Sequence, residues 1–329
     1  VAYPADYWEV EQRLNLKIYL KTWGVKRATS LKQEAPESTG DVNNMKDVEG
    51  KVAFITGGAS GMGLGMARSF AAAGMKVMIG DIESDSAQTA ADELKGKGLD
   101  AACVQVDVSS LESVQAAADK TIETFGKVHV VSNNAGVAVG GYSESCSMRN
   151  WNWVVDVNLW GVVYGLQAFV PLILDQDEGG HVISTASMAG MVGLRGAGPY
   201  NATKFAVVGM METFAADHRK HNIGASVLCP GIVATNIGHS GRNRPDEYGG
   251  AVKPSEKDRT AEMLAQGLDP DIVGDLVLEA VQEDQFYIFT DPGLKHLIET
   301  RCERIIAGYD WAASCKALDG AKQAGGLPG

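Results

Sequence analysis

The stretch Lys51-Val-Ala-Phe-Ile-Thr56-Gly-Gly-Ala-Ser-Gly-Met-Gly63 decides how the rest of the chain is read. Residues 52–56 form a continuous apolar run closed by threonine, the pattern of a strand buried on both faces. Gly57, Gly58, Gly61 and Gly63 follow at once, and a helical pattern over 61–73 comes after them. Glycines here permit a tight turn and let backbone N–H groups approach a phosphate at the helix N-terminus. A glycine-rich loop by itself is common. Its position between a first strand and a first helix points to a dinucleotide pyrophosphate, cradled by Gly57, Ser60, Gly61, Met62 and Gly63.

Outward from that loop the pattern alternates. Strands are expected at 76–81, 101–108, 128–132, 181–186, 225–228 and 286–290. Helices are expected at 83–97, 110–125, a long one ending near 173, then 200–222 and 271–283. Apolar strands alternating with helices predict an α/β domain, a single doubly wound, Rossmann-like parallel sheet of about seven strands with helices on both faces. The apolar stretch 159–174 is short for a membrane span of about 20 residues, and a buried helix is expected there. No membrane partner is expected.

Asp81 closes the second strand, 18 residues after Gly63. A carboxylate there can accept from both hydroxyls of an adenosine ribose and repels a 2′-phosphate. No Lys or Arg lies between Gly57 and Gly63 or closely after Asp81, so NAD is expected rather than NADP. Ile82 adjoins it. Asp107 and Val108 close the third strand, where the carboxylate can meet an adenine amino group or simply cap a turn.

A second constellation lies at 187–204. Tyr200 and Lys204 are four residues apart, on one face of a helix. Ser187 follows an apolar strand, and a glycine-rich loop joins the two. A hydroxyl, a phenol and an ammonium then converge, which is equipment for moving a proton on and off an alcohol oxygen. Tyrosine, with a pKa near 10, is a poor base at neutral pH unless a neighbouring ammonium favours its phenolate. Ser184 lies inside the strand and is the weaker choice of hydroxyl. Val137, Tyr142, Met188, Met191 and Leu194 fall near strand ends and are candidates for contact with an apolar substrate.

Taken together, Thr56-Gly-x-x-x-Gly61-x-Gly63, Asn133-Asn134-Ala135-Gly136, Ser187, Tyr200-x-x-x-Lys204 and Pro230-Gly231 resemble the classical short-chain dehydrogenase/reductase family over roughly residues 46–300. The resemblance implies NAD(H) as cofactor and hydride transfer to or from a secondary alcohol or ketone, here a bulky apolar or aromatic one. It implies catalytic roles for Ser187, Tyr200 and Lys204, with Asn158 holding a water against the lysine. It also implies that Asn134, Ala135, Gly136, Pro230, Gly231, Val233 and Thr235 line the cofactor, together with Tyr200 and Lys204. A homodimer or homotetramer is implied through the helices ending near Pro171 and starting at Tyr200. A sugar epimerase or dehydratase, and a non-catalytic NAD-sensing or scaffold protein, are the competing functions.

Composition fits an enzyme of ordinary globular type. The 329 residues are 45% hydrophobic and 21% charged, with net charge −12. That acidity argues against nucleic acid as partner. Cys103, Cys146, Cys229, Cys302 and Cys315 show no metal-ligand spacing, so no metal site is expected and reduced thiols in the cytoplasm are. No apolar secretory segment is visible near residue 1. Residues 1–44 stand outside the alternating pattern. They are read as an N-terminal extension or arm, with a possible amphipathic helix at 7–23, and 45–329 as the dinucleotide-binding catalytic domain. Residues 235–266 are polar and glycine-rich, a candidate lid in which Arg242 and Arg244 are solvated or meet an acidic substrate.

Overall fold

The computed structural model describes residues 45–252, 260–319 and 321. The arm at 1–44, with its expected helix, and the part of the insert at 253–259 lie outside the described residues. Residues 41–311 fall in one compact body. The described residues beyond it, 312–319 and 321, hold the end of one helix and a 3-10 turn at Lys316–Leu318.

Seven strands make one sheet: β1 Val52–Thr56, β2 Lys76–Asp81, β3 Ala101–Gln105, β4 Val130–Asn133, β5 Gly180–Thr185, β6 Ile223–Cys229 and β7 Tyr287–Phe289. Their order is β3-β2-β1-β4-β5-β6-β7, and every pairing is parallel. All five residues of β1 are buried, as an apolar strand covered on both faces must be. The strand order reverses between β1 and β4, which pair directly, and the crevice at their carboxyl ends is where a ligand binds in such a sheet.

Helices α1 Gly61–Ala72, α2 Ser84–Gly96, α3 Leu111–Phe125, α4 Met148–Val155, α5 Gly161–Gln176 and α6 Gly198–His218 follow in chain order. After them come α7 Thr260–Ala265, α8 Pro270–Gln282 and α9 Lys295–Ala313. One core layer joins α1, α2 and α8 to the sheet through Met66, Phe70, Leu94 and Val277. The other joins α3, α5 and α6 through Val114, Phe169 and Met211, and Phe169 stacks on Phe54 of β1 at 4.3 Å. The apolar helix expected at 159–174 is therefore part of this core. By length and composition the helical run Met148–Gln176 would also pass as a membrane span.

Three expectations change. β3 stops at Gln105 instead of 108, because the Asp107 carboxylate accepts from Ser109 N (2.9 Å) and Ser109 Oγ (2.6 Å) and turns the chain into α3. The long helix before residue 173 is two helices joined by a π-helical turn, Asp156–Trp160, the kind of bulge that re-aims a side chain. The insert at 235–266 is partly ordered, with 3-10 turns at Asn236–Asn243 and Asp246–Tyr248. Its base is narrow: Leu268 N donates to Ile232 O, and Ala234 N donates to Leu268 O.

Candidate active site

The carboxyl ends of the central strands open into a cleft lined by residues from the glycine loop through to the turn after β6. Gly57 sits at φ +62°, and a Cβ there would lie 3.0 Å from the Ala135 backbone. A Cβ on Gly63 would lie 2.1 Å from Gly57 O, so the turn closes only with glycine at both places. Ser60 precedes α1 but its side chain caps nothing, and the first turn of α1 carries no acidic residue. The first N–H groups of that helix have no intrahelical acceptor, and the positive end of its dipole faces the cleft. This cradle fits a pyrophosphate.

Loops from three strands are stitched together beside it. Asn134 N and Ala135 N both donate to Thr56 Oγ1, at 2.9 and 3.0 Å. Asn134 Nδ2 donates to Thr56 O at 3.0 Å, and Thr185 Oγ1 donates to Asn134 Oδ1 at 3.1 Å. At the cradle itself the Asp81 carboxylate accepts from Ala59 N, within the glycine loop, and from Glu83 N, each at 3.0 Å. Burial pushes its pKa up, and those two amides pull it back.

The cleft also reaches Tyr200 and Lys204. Ser187 is extended (φ −179°) and caps the 3-10 turn Met188–Gly190, which places its hydroxyl at the end of β5. That hydroxyl accepts from Ala189 N at 3.1 Å and lies next to the Tyr200 phenol. Burial pushes the phenol above its usual pKa, and the Ser187 hydroxyl works against the rise. Lys204 Nζ lies 5.5 Å from the centre of the Tyr200 ring and donates to Thr185 O at 2.8 Å. Burial takes its pKa down to about 8. The π-turn aims Asn158 inward, where its amide clamps Val137: Oδ1 accepts from Val137 N at 2.8 Å, and Nδ2 donates to Val137 O at 2.9 Å. A Cβ placed on Gly136 would lie 3.4 Å from Asn158 Oδ1 and 3.6 Å from Lys204 Nζ, so the two groups flank one spot.

A hydroxyl, a phenol and a buried amine thus stand beside an anion cradle at the switch point of a parallel sheet. The short chain dehydrogenase family profile matches residues 51–246 of this sequence. This chain belongs to the short-chain dehydrogenase/reductase family. A short-chain dehydrogenase/reductase from Burkholderia phymatum, solved in complex with NAD, superposes with a TM-score of 0.76 at 38% identity, covering 80% of this chain and 96% of that one. The C alpha-dehydrogenase of Sphingobium sp. is 35% identical over 80% of this chain and 87% of its own length. The 3beta-hydroxysteroid dehydrogenase 2 of Eggerthella lenta is 35% identical over 61% of this chain and 77% of its own.

Members of the family use NAD or NADP, and in this dehydrogenase most residues expected at the cofactor line the cleft: Gly57, Ser60, Gly61, Met62, Asp81, Ile82, Asp107, Val108, Asn134, Ala135, Gly136, Tyr200, Lys204, Pro230 and Thr235. Three do not. Gly63 is inside the turn, Val233 is buried in the core, and Gly231 packs toward Asp291 and donates its N–H to Thr290 Oγ1. Of the expected substrate contacts only Val137 lines the cleft. Met188 lines a different groove, with Leu276 and Ile298. Met191 packs on the core, while Tyr142 and Leu194 are exposed, Tyr142 under the Arg195 guanidinium.

Several contributors escaped the sequence reading. Asn201 Nδ2 donates to Ala189 O (2.7 Å) and Val192 O (3.0 Å), and Oδ1 accepts from Leu194 N, which fixes the loop between Ser187 and Tyr200. Its position next to Tyr200 was the available signal. Trp153, Val157, Ile237 and Ser240 line the cleft, and Ser240 Oγ accepts from Ala138 N at 3.2 Å, tying the insert to the loop after β4. Arg242 also lines the cleft and pairs with Glu83. Arg244 does not line it: its guanidinium lies over the Trp153 ring and donates to Tyr248 O.

Proposed function

We propose that this dehydrogenase is NAD-dependent and interconverts a bulky, apolar or aromatic secondary alcohol with its ketone. The observation that carries the reading is the placement of Tyr200 and Lys204 in the cleft beside the glycine cradle, with Ser187 at the end of β5 next to the phenol and Asp81 bonded to the cradle at Ala59 N. When bound, NAD supplies the hydride acceptor that two-electron oxidation of an alcohol requires. Tyr200 takes the proton of the substrate hydroxyl onto its phenolate oxygen, and returns it when the ketone is reduced. The Ser187 hydroxyl hydrogen-bonds the same substrate oxygen and fixes its distance from Tyr200. The Lys204 ammonium favours the phenolate and offers donors to the ribose hydroxyls. Asn158 holds Val137, and with it the floor beside Lys204, in place.

Asp81 supports NAD over NADP, since its carboxylate accepts from ribose hydroxyls and opposes a 2′-phosphate. A steroid dehydrogenase and a C alpha-dehydrogenase among the relatives support a bulky carbon skeleton. After Gly231 the chain adds β7 to the same sheet and α8 to the layer that covers it, which favours this reading over a nucleotide-sugar epimerase with its own substrate domain. A cytoplasmic homodimer or homotetramer, and residues 1–44 as an arm outside the catalytic domain, belong to the same proposal.

The test is a panel of cyclic, aryl and steroid alcohols with NAD, followed by NADH absorbance, and the matching ketones with NADH. Turnover of at least one bulky secondary alcohol is expected. A protein that binds NADH yet turns over none of them in either direction would refute the substrate class.

A further inference from the structure

Reading the sequence alone, no basic residue stands near Asp81. The fold supplies one from far along the chain. Arg242, in the 3-10 turn after β6, lines the same cleft wall as Asp81 and Ile82. Its Nε donates to Glu83 Oε1 at 2.7 Å, and Asn243 Nδ2 donates to the same oxygen at 2.8 Å. Glu83 is itself tied to Asp81, because Glu83 N donates to Asp81 Oδ1. The result is a chain of contacts, Asp81 to Glu83 to Arg242, around the end of the cleft where the adenosine ribose is expected.

We propose that Glu83 is a specificity-determining residue for the cofactor: it occupies the Arg242 guanidinium and so denies a 2′-phosphate the countercharge it needs. The inference rests on the NAD reading above. A guanidinium is the side chain best shaped to hold a phosphate, through paired N–H donors. Left unpaired beside the ribose, Arg242 would favour NADP and offset the repulsion from Asp81. Paired with Glu83 it cannot, since its Nε is committed and its charge is balanced. Asn243 on the same carboxylate oxygen holds Glu83 in that orientation. Discrimination is then made by two carboxylates with different tasks. Asp81 accepts from the ribose, and Glu83 silences the one guanidinium on that wall among the described residues.

Direct binding of NADH and NADPH to the full-length protein, by titration of ligand fluorescence or by calorimetry, tests this without turnover. The quantity to follow is the ratio of the two dissociation constants, which cancels any change in the insert common to both dinucleotides. Wild type is expected to favour NADH. Glu83→Gln should shift the ratio toward NADPH by about tenfold, the effect of about 1.4 kcal/mol. Arg242→Gln should not shift it toward NADPH, and in the double variant the gain from Glu83→Gln should vanish. Both side chains are partly exposed, at 30% and 40%, so neither exchange opens the core. An unchanged ratio in Glu83→Gln, or a gain that survives removal of Arg242, overturns the proposal. Wild type that binds neither dinucleotide, or prefers NADPH, overturns the NAD reading itself and the proposal with it.

Discussion

Tyr200 and Lys204 share a helical face because they are four residues apart, and their surroundings set their proton chemistry. Tyr200→Phe removes the group that takes and returns the proton. Turnover should fall by about 10²–10⁴-fold while NADH binding persists, checked by steady-state rates beside a binding titration. Oxidation needs the deprotonated phenol and reduction the protonated one. Alcohol oxidation should therefore rise with pH and ketone reduction should fall, in initial-rate profiles run in both directions. Burial raises the Tyr200 pKa and the Ser187 hydroxyl opposes that rise; a protonated Lys204 amine, with its Nζ 5.5 Å from the ring centre, is expected to oppose it too. Removing the ammonium in Lys204→Met should move the midpoint of the oxidation profile to higher pH; a midpoint that stays or moves lower contradicts this role. The residue identities were legible because helical spacing is local. The place of Ser187 was also foreshadowed, since a residue directly after a strand sits at the sheet's carboxyl edge. The direction of Met188 was not, because a 3-10 turn after β5 points it at the groove beside α9.

At the scale of elements, α1 and α8 cross at unusually short range. A Cβ on Gly65 would lie 2.1 Å from Pro270 O, and one on Gly274 would lie 2.2 Å from Gly65 O. Backbone meets backbone there, and neither side can yield as a flexible side chain does. Gly65→Ala should destabilise the fold by about 1–3 kcal/mol or more through overpacking, against a small gain in helix propensity, measured by urea unfolding. Neither glycine was legible as a contact, for each lies inside an ordinary helical pattern and its partner is remote in sequence. The π-turn at Asp156–Trp160 escaped for a related reason: composition and periodicity on both sides are those of one continuous helix. Strand β1 was read to the residue because four consecutive apolar residues closed by a threonine, between a lysine and a glycine loop, leave little freedom.

For the whole molecule, acid stability depends on groups buried under the sheet. His181 is buried between strands, its Nε2 2.7 Å from Ser226 Oγ, and Ser226 Oγ donates to Gln285 O, so Nε2 carries the proton given to serine. Burial takes the His181 pKa down to about 3, from about 6.5 when unfolded. The folded value is the lower one, so the unfolded state binds more protons between these limits. The contribution is complete above about pH 6.5 and is lost as pH falls toward 3. By pH 5 the wild type should lose about 1–2 kcal/mol from this source, and His181→Gln should lose less, compared by urea unfolding at pH 7 and pH 5. A second prediction concerns the arm. A chain beginning at Met45 should retain NADH binding and turnover, measured beside its size in solution; loss of both activity and oligomeric state would place residues 1–44 inside the working enzyme.

The sequence by itself determined the alternation of strands and helices, the glycine cradle, the acid at the end of β2 and the trio of Ser187, Tyr200 and Lys204. Each of these is written in spacing over a few residues, where chain geometry alone fixes which groups are neighbours. Only the tertiary structure decided that Arg242 meets Glu83, that Asn158 clamps Val137 from a π-turn, and that Met188 faces away from the cleft. Those outcomes depend on how the covering helices and the insert pack on the sheet, which brings together residues that no local period relates.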